Sequence, residues 1–145
     1  DCGAKYYGYC SDMTRNIFFG TPTEKYLNVY NIVLEAQKRA LEKAVFKARL
    51  GDVDAAARDY IKEQGYGDKF GHATGHGVGM DIHEYPSISP QEPFVHPTLQ
   101  DRMVVTIEPG IYLPGEFGVR IEDLIAIKED KVYNLTNFSK ELIVL

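Results

Sequence analysis

The order of the apolar patterns predicts an α+β fold. A tyrosine-rich, strand-forming opening comes first, then two amphipathic helices in succession, then a glycine- and histidine-rich stretch followed by a run of strands. A parallel sheet would instead need strands and helices in alternation. The 145 residues suit one domain with a single core, and 44% apolar with 26% charged residues are ordinary globular proportions.

Residues 1–12 read as a β-hairpin, because tyrosine favours extended chain and the Tyr7-Gly8 region suits a turn. From residue 23 to about residue 49, Leu27, Tyr30, Leu34, Leu41 and Val45 step at helical spacing, with Gly51 read as the stop. Asp52 is the expected cap of a second helix running to about Gln64 on Val53, Ala56, Ala57, Tyr60 and Ile61, and Gly65 follows it. Glycine, histidine and proline exclude regular helix over residues 65–97, the kind of loop on which chemistry tends to sit. Strands are expected at 103–108, 118–127, 131–135 and 141–145. The sequence opens inside a strand-like run without an initiating Met, which predicts a segment of a longer polypeptide.

Composition excludes several function classes. With 16 Lys+Arg against 21 Asp+Glu the net charge is −5, and the basic residues are scattered, which argues against a nucleic-acid or anionic-membrane surface. No apolar run approaches the ~20 residues of a membrane span. The first residues lack a signal-peptide pattern, and two cysteines make no disulfide scaffold, so a reducing cytoplasm is the expected compartment.

Charge sits where strands should be apolar. Glu108 closes the run Val-Val-Thr-Ile-Glu and Glu122 lies inside Val-Arg-Ile-Glu-Asp-Leu-Ile. A buried carboxylate needs a compensating positive group, and Arg120, of the same strand parity as Glu122, is the plain candidate for an ion pair. A hairpin loop centred on Tyr6-Tyr7 sets Asp1 directly across from Asp12, a repulsion that a divalent cation would reverse. Unrelated acids at a solvated hairpin end are the alternative. The same register sends Cys2 and Cys10 to opposite faces, against a disulfide.

His72, His76 and His83 fall close together. The spacing of His72 and His76 matches a helical zinc pair, but Gly75 and Gly77 forbid a stable helix and no Glu follows His72. The glycines also miss the dinucleotide fingerprint. A glycine-framed histidine suits a ligand that the backbone must bring close to a crowded centre. Asp1, Asp12, His76, Glu108 and Glu122 make an oxygen-dominated set suited to Mn²⁺, Co²⁺, Fe²⁺ or Zn²⁺. So many carboxylates exceed the need of one ion, and bridging carboxylates hold two metals about 3.5–4 Å apart, where a shared hydroxide serves hydrolysis.

Asp1-x-Gly-Ala-x-Tyr-x-Gly-Tyr-x-Ser-Asp12-x-Thr-Arg15, His72-x-x-Gly-His76-Gly-Val-Gly79, His83-Glu84-x-Pro86, Thr106-Ile-Glu108-Pro-Gly-Ile-Tyr112 and Gly118-Val-Arg-Ile-Glu122-Asp123 resemble the pita-bread metallopeptidases, in their proline-specific branch. The resemblance implies a pita-bread fold, a curved antiparallel sheet with flanking helices, of which residues 1–145 form the C-terminal part of one catalytic domain. It implies that Asp1 chelates one metal, that Asp12 and Glu122 bridge two, and that His76 and Glu108 complete the other, with manganese the expected metal. Glu108 also moves a proton, His83 and His72 meet the substrate, and Arg120 lies near substrate and carboxylates; Thr14 and Arg15 support them. The implied activity is cleavage between an N-terminal residue and proline, by a homodimer that also needs the preceding part of the polypeptide. A methionine aminopeptidase-like enzyme, a non-catalytic binding module and a metal-stabilised structural domain are the alternatives. One departure stands at a turn, where Arg102-Met103 replaces the family's Gly-Met.

Overall fold

A computed structural model describes residues 1–91 and 97–145, so the part of the expected loop at 92–96 lies outside the described residues. The opening hairpin forms from β1 (Lys5–Tyr6) and β2 (Tyr9–Cys10), but in a different register from the expected one. Lys5 pairs with Cys10 and Tyr6 with Tyr9, leaving Tyr7 (φ 49°) and Gly8 (φ 87°) as the loop. Two consecutive left-handed residues make the turn whose twist suits a tight hairpin, and Gly8 is the residue that takes such a φ without strain. Cys2 then bridges Met13, so Asp1 comes opposite Thr14 and only diagonal to Asp12. Cys2 and Cys10 are both free thiols.

A short strand β3 (Ile17–Phe18) leads to α1 (Glu24–Lys43), capped by the Thr23 hydroxyl on the Tyr26 amide. The expected single helix to residue 49 is two pieces of chain. α1 stops at Lys43, the backbone turns through Lys47 at φ 65°, and α2 (Leu50–Glu63) begins with Gly51 inside its first turn rather than ending its predecessor. Arg49, not Asp52, is the N-cap residue, and Gly65 (φ 87°) follows the C-terminus as expected. The buried face of α1 is Tyr26, Val29, Tyr30, Ile32, Val33, Ala36, Gln37 and Ala40. Of the expected stripe only Tyr30 is buried, while Leu27 and Val45 are exposed. Small alanines bury more readily here because they let α2 pack close.

After a 3₁₀ turn at Gly67–Lys69 come two strands the sequence pattern hid, β4 (Gly75–Gly77) and β5 (Glu84–Ile88). They join β6 (Val104–Ile107), β9 (Asp123–Lys128) and β10 (Lys131–Asn134) in an antiparallel sheet of order β10-β9-β6-β4-β5. The expected strand 118–127 is broken at Ile121-Glu122 into β8 (Phe117–Arg120) and β9, and a strand β7 (Gly110–Leu113) pairs with β8. β6-β7 and β8-β9 therefore form one long antiparallel ribbon that bends between the pairs Ile107·Asp123 and Gly110·Arg120. Glu108 and Glu122 occupy the two sides of that bend, and Pro109, lacking an N–H, interrupts the ladder there. The closing strand β11 (Ile143–Val144) runs parallel to β3.

The core lies between the helices and the concave sheet: Val29, Val33 and Ala36 of α1 and Val53, Ala57 and Ile61 of α2 join Val105, Ile107, Ile125 and Ile127 in one cluster. Each large aliphatic side chain so buried contributes about 1.5–3 kcal/mol. The bend in the ribbon is thus pressed against a rigid layer. No helix among the described residues is long and apolar enough to cross a membrane.

Candidate metal centre

The bend of the ribbon, the β4 strand and the hairpin converge on one polar cluster. Asp12, His76 and Glu122 each offer a ligand atom within 4.8 Å of the others. His76 Nε2 lies 3.0 Å from Glu108 Oε1 and 3.7 Å from Asp12 Oδ2. The ring of His83, itself exposed, is centred 4.4 Å from that of His76. The glycines around His76 permit this closeness: a Cβ on Gly75 would collide with the Thr106 carbonyl, and one on Gly77 with the Tyr85 carbonyl. A bulge between His76 and Gly77 re-aims the strand at the same point.

Two threonine hydroxyls orient the carboxylates. Thr106 Oγ1 accepts the His76 amide at 3.0 Å and donates to Glu108 Oε1 at 2.9 Å. Thr14 Oγ1 accepts from Arg120 Nε at 2.9 Å and donates to Glu122 Oε2 at 2.6 Å. Thr106 stands in the motif around Glu108 but carries no role in the sequence reading, although a residue two before Glu108 in a strand shares its face. The expected Arg120–Glu122 ion pair does not form among the described residues. Arg120 binds Asp1 and lies 3.9 Å from Glu108, and it reaches Glu122 through the Thr14 hydroxyl. Asp1 is the exposed member of the set, joined to the centre by that guanidinium.

The charge state of the cluster follows from burial and crowding. Burial raises the Glu122 pKa to about 7, the negative charges of Glu108 and Asp12 add to the rise, and Thr14 and Arg120 oppose it. Burial would also raise Glu108, but hydrogen bonds from His76 and Thr106 prevail and hold it below the ordinary range. Burial would lower His76, yet its bonds to Glu108 and the Gly77 carbonyl carry its pKa above the usual imidazole value. One oxygen, Glu122 Oε1, is buried with no hydrogen-bond partner among the described residues. An orphaned buried carboxylate oxygen costs free energy that a divalent cation would recover, and the carboxylate-and-imidazole donor set suits a hard or borderline ion. The residues present fit such an ion.

His72 stands apart, sharing a 2.7 Å hydrogen bond with the Tyr112 hydroxyl. Asp123, next to Glu122 in sequence, is fully buried beneath the centre, paired with Arg15 at 2.7 Å and with Lys140, and bonded by Asn134.

Residues 1–129 match the model of metallopeptidase family M24. The chain belongs to this family. It is 51% identical over 143 residues to an Xaa-Pro dipeptidase of Pyrococcus furiosus, a match covering 99% of the chain and 40% of that protein. The prolidase structure from Thermococcus sibiricus superposes with a TM-score of 0.94 at 52% identity, covering 99% of the chain and 38% of its own. The X-Pro aminopeptidase of Thermotoga maritima gives 0.91 at 43% identity, covering 99% and 40%. The architecture is the expected pita-bread fold, and the chain spans about 40% of the length of the curated relatives it matches.

Proposed function

We propose that the protein of which this chain is the site-bearing part hydrolyses the bond between an N-terminal residue and proline, using two divalent ions, with Mn²⁺ the first candidate. The observation that carries the reading is the partnerless Glu122 Oε1 amid Asp12, His76 and Glu108, in a chain of the M24 family. Relatives called Xaa-Pro dipeptidase and prolidase support the substrate class. Asp12 and Glu122 would bridge the two ions, His76 and Glu108 would complete one, and Asp1 would complete the other after release from Arg120. When bound, the ions supply Lewis acidity to the scissile carbonyl and make water nucleophilic near neutral pH.

The chain's own residues do the rest. Glu108, held ionised, accepts a proton at its carboxylate and passes it on to the leaving nitrogen. His83, exposed beside His76, and His72 donate to the carbonyl oxygen as it gains charge. Arg120, released from Asp1, neutralises the carboxylates around the substrate. The substrate is a peptide, two copies of the protein pair, and the compartment is the cytoplasm. Residues 1–145 supply the C-terminal part of the catalytic domain in this reading.

The test is Mn²⁺-dependent release of proline from an Xaa-Pro dipeptide by the full natural polypeptide, with a Met-Ala peptide alongside. Proline release abolished by a chelator is expected. Preferential cleavage of Met-Ala would move the protein to the methionine-specific branch, and metal binding with no cleavage of either would make it a binding module.

A further inference from the structure

Asp54, buried, and Arg58, half-buried above it, form a charged pair that no step above uses. Both lie on α2, one turn apart, and Arg58 grips Asp54 with two bonds, Nε to Oδ2 at 2.7 Å and Nη2 to Oδ1 at 2.8 Å. Asp54 is 1% exposed. A carboxylate taken out of water is costly unless it is fully bonded, and such a pair is often no more stabilising than apolar residues of the same volume, so its presence asks for another reason.

Its remaining bonds all go to one segment of chain. Arg58 Nη1 donates to the Phe70 carbonyl at 3.0 Å and Nη2 to the His72 carbonyl at 2.8 Å. The guanidinium also stacks 4.2 Å from the centroid of the Phe70 ring, whose edge meets the His72 ring at 5.1 Å. Asp54 Oδ1 accepts from both the amide and the hydroxyl of Thr74, at 3.3 Å and 2.7 Å. Thr74 in turn accepts the Glu108 amide on its carbonyl at 2.7 Å. Residues 70–74 carry no regular helix or strand, so the Phe70 and His72 carbonyls have no ladder and rely on the Arg58 guanidinium.

We infer that the Asp54–Arg58 pair is a positioning device that fixes the His72 backbone, and with it the imidazole beside Tyr112, for substrate rather than for metal. The inference rests on the peptidase reading above for its functional meaning. The guanidinium holds the carbonyls of Phe70 and of His72 itself, and the carboxylate holds Thr74 beyond it, so the backbone at His72 is pinned from both sides. A planar fork with several fixed donors does this, and a lysine's single ammonium does not. The His76 and Glu108 side chains have their own anchors in Thr106 and Gly77, and the Glu108 amide is tied to Thr74, whose partners are Asp54 and Ile88 rather than Arg58, so the ligand set keeps its geometry without the guanidinium.

The experiment uses the full natural polypeptide with Arg58→Lys and Arg58→Ala. Measured are kinetics on an Xaa-Pro dipeptide, Mn²⁺ content by elemental analysis, and the crystal structure of each variant. Expected is a fall in kcat/KM of tenfold or more for Arg58→Ala, carried by KM, with Mn²⁺ content unchanged and the His72–Tyr112 hydrogen bond lost from the structure. Arg58→Lys should fall between, and guanidinium ion should restore part of the Arg58→Ala loss. An unchanged His72–Tyr112 bond, or a loss of bound Mn²⁺ at constant KM, overturns the inference. If the parent protein itself cleaves no Xaa-Pro bond, the peptidase reading fails, while the His72–Tyr112 distance in the variant structures still decides the positioning claim.

Discussion

The two sides of the centre are built differently. On the ribbon side, Glu108 and Glu122 sit at the bend of a long antiparallel pair, backed by threonine hydroxyls and by apolar residues such as Ile107 and Ile121 that are fully buried. On the hairpin side, Asp1 is exposed and answers to Arg120, and the hairpin behind it carries Tyr6, Tyr7 and Tyr9 at 75%, 87% and 64% exposure. The first side is set by the fold before any ion arrives; the second is set by electrostatics and is free to adjust. A rigid pair of ribbon carboxylates and an adjustable outer one let a site accept metal without reorganising its core.

Removing a ligand from each side tests the contrast most severely. Glu122→Ala should abolish proline release, at least ~10³-fold, and release bound metal, because it deletes the carboxylate proposed to bridge the ions. Asp1→Asn should leave more metal bound and a smaller loss; equal losses, by elemental analysis and assay, would erase the distinction. Next in size is the support below the ribbon. Asp123→Ala removes the charge partner of buried Arg15 and half-buried Lys140 and should cost about 3–5 kcal/mol in urea unfolding.

The same carboxylate sets an acid limit. Burial would raise Asp123, but bonds from Lys140, Arg15 and Asn134 outweigh it and lower its pKa. A depressed folded pKa gives stability that is present above the unfolded value, about 3.9, and lost as pH falls through the lower folded value. The metal-free protein should therefore lose stability below about pH 4, and Asp123→Asn should flatten that part of the curve; an unchanged acid slope would count against it.

Smaller still is the effect of the orienting hydroxyls. Thr106→Val keeps the volume but frees Glu108, and should weaken metal affinity about 10–100-fold by titration while leaving the fold intact. The smallest effect lies outside both sides. Arg102 holds φ at 68° with its side chain in solvent, a conformation that glycine takes without strain, so Arg102→Gly should stabilise thermal unfolding by up to about 1 kcal/mol without touching activity.

Residue types revealed the centre better than periodicity revealed the elements that hold it. Glu108 and Glu122 stood out because ionised groups do not belong in apolar runs, and the glycines around His76 announced close approach, which the carbonyls of Thr106 and Tyr85 now account for. The break at residues 121–122 left no local mark, since Ile121 and the apolar run from Leu124 onward read as one strand and only pairing with different partners divides them. β4 was invisible for a related reason: a strand of Gly-His-Gly has no pattern of its own and exists because β5 and β6 flank it. The hairpin register depended on which residue could hold φ above zero, and Gly8 decided it one position later than a loop at Tyr6-Tyr7. The α1 stripe failed because the helix carries apolar residues on more than one side, and Val29, Ile32, Val33 and Ala36 rather than Leu27 and Leu34 are the ones turned to the core.

The missing atoms of Gly75 and Gly77 also constrain the history open to this site. Any single-codon change at either position places a methyl or more where a neighbouring carbonyl already stands, so a lineage cannot drift through those positions one step at a time while keeping His76 in place. The exposed Tyr7 loop bears no such restriction on its side-chain volume. Variation in descendants of this sequence should therefore gather at the rim of the centre, altering what it admits, while the two empty spaces beside His76 stay empty.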